Sequence, residues 1–373
     1  MRCNENNPHP FNSNTGQFPS ENGIRLPVVL AIAMLALGQP VLSQSLYWDL
    51  NGSANGSGGP APSGLWDVAT ANWNIHSAGN GAPSFWNSGN TAVFSAGTDA
   101  TGQYTITLSG AQAATGLTFE DGTATLTGDG LTLTSPGLVT VNAAAKGIIG
   151  VVVSGASGLT KASSGELVLS GANLFTGNLT NRAGILTLDN DGAAGPGLIV
   201  VDGTASATLR STQPATTLAN DILLRGTGPA VELNALAGNT LTLSGVISGS
   251  RNWTANGPGK LVLTGAAENT FPGAVTVAQG TLVSAKSGAL GSTLNGTVVN
   301  SGATLAFDGG YEYYAAEQVT LNGPGFAGGA ALNNISGDNI FDGTVTLAAN
   351  SSIGADAGSL TLVGAISGSY NLT

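Results

Sequence analysis

The stretch that decides the fold is SGANLFTGNLTNRAGILTL, residues Ser170–Leu188, in which a polar, glycine-rich elbow separates two short alternating segments. A closely similar stretch, TGAAENTFPGAVTVAQGTL, occupies Thr264–Leu282. The segments that lead into the two stretches also match, GELVL at Gly165–Leu169 and GKLVL at Gly259–Leu263. The chain therefore contains a duplicated unit.

The spacing between the two copies changes only within the elbow. The copies lie 94 residues apart at Gly165 and Gly259, but 96 apart at Gly184 and Gly280, because the second elbow is two residues longer. A third copy begins near the end, where LTLVGAISGS repeats LTLSGVISGS of residues 241–250. Since the sequence then stops, we interpret this last repeat as truncated.

Alternating apolar and polar residues run from Tyr104 onward, in segments such as YTITL, ELVLS and KLVLTG that are separated by turn residues. Such alternation predicts strands that send Leu, Val and Ile to one face and Thr to the other. Two architectures fit, a solenoid of parallel rungs or an antiparallel sandwich, in which Phe119–Leu133 would form a small meander. Repetition favours the solenoid, because each stacked rung must offer the next a similar edge.

Composition and net charge limit the classes of partner that the chain could bind. Of 373 residues 57 are glycine and 8% are charged, and the net charge of −11 argues against binding nucleic-acid backbones.

The apolar run Val28–Leu37 is too short to cross a bilayer but suits the core of a secretory signal. We predict a signal peptide with a long polar leader (1–43), a Trp-rich cap region (44–103) and solenoid repeats (104–373). Cys3, the only cysteine, would leave with the leader.

The elbow residues have turn chemistry that the solenoid requires. Glycines at 177 and 184 are free to adopt positive φ, and an asparagine such as Asn173 can hydrogen-bond neighbouring turn backbone. We predict that Phe175 and Phe271 point inward and pack on the rung core.

Both copies resemble the autotransporter-associated β-strand repeat, also called the passenger-associated transport repeat. They share its order of strand, elbow, aromatic, glycine, strand and closing Gly-x-Leu, although Leu174 stands where a small polar residue is expected. The structural positions of the two repeat motifs, 165–188 and 259–282, are Gly165, Gly171, Asn173, Phe175, Gly177 and Gly184, and Gly259, Gly265, Asn269, Phe271, Gly273 and Gly280. The resemblance implies an all-β, right-handed parallel β-helix. It also implies export to the surface of a Gram-negative bacterium, or release from it, with a C-terminal β-barrel translocator that is absent from this chain.

Residues with catalytic chemistry are few. After the leader His76 is the single histidine, and the Gly-x-Gly-x-x-Gly match GPGFAG at 323–328 is expected by chance in a glycine-rich chain. Asp338 and Asp342 could belong to a carbohydrate-active β-helix enzyme, a lyase or a hydrolase, but aspartate is also favoured in turns. We predict no catalytic residue, metal or cofactor.

The tryptophans of the predicted cap region allow two interpretations, a sugar-binding surface or a structural plug. The four that crowd the predicted cap region could stack on sugar rings as a ligand platform or plug the open end of the coil: Trp48, Trp66, Trp73 and Trp86. We favour the plug. The function predicted from the sequence is a non-enzymatic passenger or stalk that supports adhesion to surface glycans or proteins, with the enzyme and the sugar-binding module as alternatives.

Overall fold

The computed structural model describes residues 43–314 and 316–373. The predicted signal peptide lies outside the described residues, apart from Ser43. The described chain consists of β-strands, turns and one short 3₁₀ turn, Phe326–Gly328. Within these ranges no helix is both long and apolar enough to cross a membrane.

Four sheets contain the strands, numbered in chain order. Sheet A has 12 strands, which in spatial order are β22 (Ile247–Gly249), β19 (Ile222–Arg225), β16 (Ile199–Asp202), β14 (Leu179–Asn181), β12 (Leu159–Ala162), β9 (Leu131–Val141), β7 (Gln112–Phe119), β5 (Thr91–Phe94), β1 (Ser45–Trp48), β3 (Trp73–Asn74) and β4 (Pro83–Ser84), with β11 (Val153–Ser154) beside β9. Sheet B has 14, which are β2 (Gly64–Trp66), β6 (Gln103–Leu108), β8 (Thr123–Gly128), β10 (Lys146–Ile149), β13 (Glu166–Leu169), β15 (Gly184–Leu188), β17 (Ala207–Ser211), β20 (Val231–Ala235), β23 (Trp253–Asn256), β25 (Val275–Val277), β27 (Thr297–Val299), β30 (Val319–Leu321), β33 (Val345–Leu347) and β36 (Ile366–Gly368).

The two smaller sheets complete the coil in its C-terminal half. Sheet C has seven strands, which are β18 (Ala215–Leu218), β21 (Thr240–Leu243), β24 (Lys260–Leu263), β26 (Gly280–Ser284), β28 (Ala303–Asp308), β31 (Leu332–Ser336) and β34 (Ile353–Ala355). Sheet D has three, which are β29 (Glu312–Tyr313), β32 (Asp338–Phe341) and β35 (Ser359–Leu362).

Successive rungs stack in parallel and in register. Sheet B shows this most clearly, because one residue of each strand from β6 to β36 pairs with its equivalent in the next strand. We call this set the sheet B column: Gln103, Thr123, Lys146, Glu166, Ile185, Thr208, Glu232, Thr254, Thr276, Val298, Thr320, Thr346 and Ser367. The parallel β-solenoid is confirmed. The antiparallel sandwich is wrong, and so is the meander at 119–133, where β8 pairs in parallel with β6 and β10.

The number of sheets in a rung changes along the coil. Rungs before β16 have strands only in sheets A and B, and rungs from β16 to β24 have strands in sheets A, B and C. Later rungs use sheets B and C, and sheet D joins from β29 onward. The coil therefore has three sides, of which two or three carry strands in any one rung.

The N-terminal end of sheet A departs from the parallel pattern. There β1 pairs antiparallel with β3, and β3 pairs antiparallel with β4. The four tryptophans of this region are 0 to 3% exposed and form a cluster with ring centroids 4.6 to 5.2 Å apart: Trp48, Trp66, Trp73 and Trp86. A platform for sugars needs exposed ring faces, and these rings have none. The interpretation of the four tryptophans as a sugar-binding platform is therefore wrong. Their role as a cap on the end of the coil stays a proposal.

The interior of the coil is mainly apolar, but buried titratable side chains also lie in it, among them Lys161, Lys286 and Glu317. Lys161 is fully buried and its ammonium donates to the carbonyl oxygens of Ser163 and Ala183, at 2.8 and 2.5 Å. Burial lowers the pKa of Lys161 to about 8 and also lowers the pKa of Lys286. Glu317 is 2% exposed and accepts a hydrogen bond from Thr297 at 2.9 Å. Burial raises the pKa of Glu317 to about 7.

Glu317 makes stability depend on pH. Because the pKa of its carboxyl is higher in the folded state than the 4.5 of the unfolded chain, the folded state binds the proton more tightly. This contribution is complete below pH 4.5 and is lost as the pH rises to about 7. We expect Glu317→Gln to remove this part of the decline, so that urea midpoints at pH 5 and pH 8 differ less than in the wild type. The exposed Glu312→Gln should retain the wild-type difference, and an unchanged difference in Glu317→Gln would contradict the assignment.

Candidate functional site: the repeated elbow

The two copies of the repeat occupy different sides of the coil. In the first, β13 of sheet B leads through the elbow to β14 of sheet A and back to β15 of sheet B. In the second, β24 of sheet C leads through the elbow to β25 of sheet B and back to β26 of sheet C. Both elbows therefore connect two strands across the third side, and the second copy is rotated by one side relative to the first.

Each elbow is joined to the rungs on both sides by one buried asparagine. The side-chain oxygen of Asn173 accepts from the backbone N–H of Val153 at 2.8 Å, and its amide nitrogen donates to the carbonyl of Ala193 at 2.7 Å. Asn173 is 4% exposed, and Val153 and Ala193 lie 20 residues before and after it. One side chain thus spans three successive rungs, and we call this arrangement the asparagine clasp.

The second copy has the same clasp. Asn269, also 4% exposed, accepts from the backbone N–H of Ile247 at 2.8 Å and donates to the carbonyl of Ala289 at 2.7 Å. Backbone pairing supports both clasps, because the N–H groups of Asn173 and Asn269 donate to the carbonyls of Gly192 and Gly288 at 3.0 and 3.1 Å. A geometry repeated at two sides of the coil is a property of the repeat rather than of its surroundings.

The elbow phenylalanines lie inside the coil, where Phe175 and Phe271 are fully buried. The glycine of the next rung lies against each ring. Gly195 and Gly291 have positive φ values of +65° and +82°, and a Cβ there would come within about 3 Å of the ring carbons or backbone of Phe175 and Phe271. A side chain at either position would therefore clash first with the backbone oxygen of the elbow phenylalanine and would also crowd its ring.

Glycines elsewhere in the motif permit close approach of the rungs. At all eight predicted positions a Cβ would lie within 2.5 Å of a backbone atom of the preceding rung: Gly165, Gly171, Gly177, Gly184, Gly259, Gly265, Gly273 and Gly280. Real Cβ atoms essentially never approach another atom below 3.0 Å. The spacing between rungs therefore requires glycine at these positions. Positive φ is found only at Gly184, Gly265 and Gly280 among the eight, so the positive φ expected at Gly177 is wrong.

Deviations from the repeat pattern point outward. Leu174, which replaces a small polar residue, is 65% exposed, and only its backbone N–H contributes to stacking, by donating to Val153 O at 2.8 Å. Ala267 and Glu268, around which the second elbow is longer, are also exposed. The core of the elbow tolerates both deviations because neither enters it.

The sequence analysis did not predict the residues of the following rung that contact each elbow. The acceptor alanines and the facing glycines belong to Gly192–Gly195 (GAAG) and Gly288–Gly291 (GALG), which are 96 residues apart like the elbows themselves. That shared offset was a usable signal. The motif is therefore longer than the segments 165–188 and 259–282, since its last contacts come from the following rung.

A comparison with family models identifies these segments. The Passenger-associated-transport-repeat model matches residues 159–188 and 254–283. The chain carries passenger-associated transport repeats. Each matched segment contains the buried phenylalanine and the clasp asparagine of its elbow. The alanine whose carbonyl accepts from that asparagine lies beyond the segment, with Ala193 five residues after the first and Ala289 six residues after the second.

A curated relative extends the similarity beyond the repeats. The Adhesin BmaC autotransporter of Brucella suis biovar 1 (strain 1330) is 32% identical over 227 residues. The match covers 58% of this chain and 6% of that protein. The chain thus corresponds to a small part of that relative's length. No solved structure matches the chain.

The other candidate residues do not assemble into a recognisable site. His76 is exposed and lies 3.3 Å from the side-chain oxygen of Asn80. Asp338 and Asp342 are four residues apart along β32 and its end, which separates their Cα atoms by about 13 Å in an extended strand. Carboxylate pairs of glycosidases lie about 5 to 9.5 Å apart. In residues 43–314 and 316–373 no three His, Cys, Asp or Glu side chains are grouped for metal binding.

Proposed function

We propose that the chain is a non-enzymatic, exported passenger or stalk segment of an autotransporter-type adhesin. The observation that carries this proposal is the asparagine clasp, which recurs in both passenger-associated transport repeats within an unbroken parallel stack. Similarity to a protein named as an adhesin autotransporter supports the same role. The segment would be secreted or displayed at the surface of a Gram-negative bacterium.

The solenoid suits folding during export. A rung that has left the membrane offers an exposed parallel edge, and the next rung gains ladder hydrogen bonds and apolar burial as soon as it stacks there. Each clasp adds two buried hydrogen bonds that form only when three rungs are in register. The repeats would therefore fix the register at two points along an otherwise uniform stack.

The partner of this segment would be a C-terminal β-barrel translocator, as the family resemblance implies. Exposed loops and outer sheet faces would then contact glycans or proteins of other surfaces. Of the described charged residues, most lie on the outside, and the net charge of −11 disfavours nonspecific attraction to anionic envelopes.

Surface display tests the proposal. The chain is fused in front of a β-barrel translocator in a Gram-negative host, and the fraction accessible to external protease is measured. We expect a large accessible fraction, and a smaller one for the double variant Asn173→Ala, Asn269→Ala than for Asn178→Ala, whose side chain is exposed. Retention of the wild-type fusion inside cells that export an unrelated passenger through the same translocator would contradict the proposal, as would cleavage of polysaccharides by the purified chain.

A further inference from the structure

One corner of the solenoid is much longer than its counterparts. The connection from sheet B to sheet C has two to five residues in six rungs, between β17 and β18, β20 and β21, β23 and β24, β25 and β26, β27 and β28, and β33 and β34. Between β30 and β31 the same connection has ten residues, 322–331. This insertion contains the GPGFAG sequence, which the repeat architecture does not require.

The inserted loop is fixed to the neighbouring rung. Phe326 N–H donates to Thr304 Oγ1 at 2.9 Å, and the Thr304 hydroxyl donates to Ala330 O at 2.8 Å. Gly302 N–H donates to Pro324 O at 2.8 Å, and Gly329 N–H closes the 3₁₀ turn on Phe326 O at 2.9 Å. The loop thereby holds the Phe326 ring at the surface, where it is 37% exposed.

Two adjoining grooves lie beside this ring on the outer face of sheet C, with volumes of about 300 and 260 Å³. Lys260, Thr281 and Phe326 line both grooves. Asn333 and Asp356 belong to the first groove, whereas Asn239 and Thr240 belong to the second. We call the continuous surface formed by these seven residues the Phe326 groove.

The chemistry of the groove combines an aromatic ring, hydroxyls, amides, one cation and one carboxylate. Lys260 is exposed and is the single basic residue in the seven strands of sheet C, all of which are described. Its ammonium makes no ion pair within 4.0 Å among the described side chains. Lys260 lines both grooves and so lies where they meet, whereas Asp356 lines only the first groove and accepts a hydrogen bond from the Asn333 amide at 2.8 Å.

We propose that the Phe326 groove binds an oligosaccharide that carries carboxylates, of the uronate class. A sugar ring would pack on Phe326, its hydroxyls would bond the threonines and asparagines, and one carboxylate would pair with Lys260. An extended peptide fits less well, because β26 is paired on both edges and the sheet face offers it no free backbone groups. The inference rests on the proposed function, since it assigns the adhesive role to one surface.

Calorimetric titration of the purified chain tests the site. Tetragalacturonate is the probe, with the neutral maltotetraose as its control and an acidic peptide of similar charge as the competing class. We expect saturable binding of tetragalacturonate alone, weakened by about tenfold or more in Lys260→Gln and in Phe326→Ala. The matched controls Arg182→Gln and Phe85→Ala change an exposed cation and an exposed ring elsewhere, and they should bind as the wild type does.

The outcomes are distinct. No binding of tetragalacturonate, equal binding in Lys260→Gln and Phe326→Ala, or preference for maltotetraose or the peptide would each overturn the inference. Lys260 is exposed, so its replacement keeps the test valid even if Phe326→Ala loosens the loop. Because the titration needs no export, a chain that is displayed but does not bind refutes the groove alone. A chain that binds but is not displayed refutes the passenger proposal alone.

Discussion

Replacing Asn173 by alanine is expected to lower the free energy of unfolding by about 2 to 5 kcal/mol, because two buried backbone groups lose their partner. These groups are the N–H of Val153 and the carbonyl of Ala193, each bonded by the asparagine at 2.8 Å or less. Asn269→Ala should have a similar effect through Ile247 and Ala289. Urea titration followed by circular dichroism measures both changes.

Two further variants separate the clasp from a general effect of losing an asparagine. Asn178→Ala removes an exposed side chain that accepts a 3.3 Å bond, and we expect a change of about 0.5 kcal/mol or less. Asn173→Asp keeps the acceptor but removes the donor, and it places a carboxylate in a buried position. We expect it to be at least as destabilising as alanine near neutral pH. A change of the same small size in Asn173→Ala and Asn178→Ala would contradict the clasp.

Replacing Phe175 by serine should lower the free energy of unfolding by about 3 to 5 kcal/mol, since it removes a fully buried ring from the rung core. The facing backbone at Gly195 belongs to the next rung and cannot fill the space without breaking its own ladder. Phe271→Ser should behave similarly and would also remove the edge contact with Trp253, whose ring lies 5.7 Å away. Thermal and urea unfolding measure the loss.

The matched control for the phenylalanines is the adjacent residue in the same elbow. Leu174 is 65% exposed, so Leu174→Ser is expected to change stability by about 0.5 kcal/mol or less. If Phe175→Ser unfolded at the wild-type midpoint, the ring would have no structural role. Equal losses in Phe175→Ser and Leu174→Ser would show instead that the elbow as a whole is sensitive to polar substitution.

The parallel solenoid was predictable because repetition in the sequence has a physical cause. A rung such as Gly165–Leu188 buries too little apolar surface to fold alone, and a repeat of similar rungs supplies the missing partners. The alternation of Leu and Thr then identified which face lies inside. The Asp-Gly pairs at Asp121 and Asp129, in contrast, are also typical of hairpins, which is why 119–133 could be interpreted as a meander, although such pairs serve the corners of a parallel coil as well.

The contacts of the elbow were only partly predictable. An asparagine in a turn was expected to bond nearby backbone, but the partners of Asn173 lie 20 residues away on each side and depend on the length of the rungs. Likewise, the rotation of the second repeat by one side follows from the addition of sheet C between the copies, which no single motif reveals. The place of the tryptophans was only partly predictable, since a Trp-rich segment suits a surface platform as well as the buried plug that the sequence favoured.

Distances along the sheet B column test the central claim, which is that every rung stacks on the last in parallel register. Spin labels are introduced in pairs as cysteines in a Cys3→Ser background, with one label at Thr123 and the second at Thr208, Thr276 or Thr346. These positions lie four, seven and ten strand spacings from Thr123. Stacking at about 4.8 Å per strand predicts backbone separations that rise through roughly 19, 34 and 48 Å in pulsed electron spin resonance. Separations that stay level or decrease along this series would contradict the solenoid.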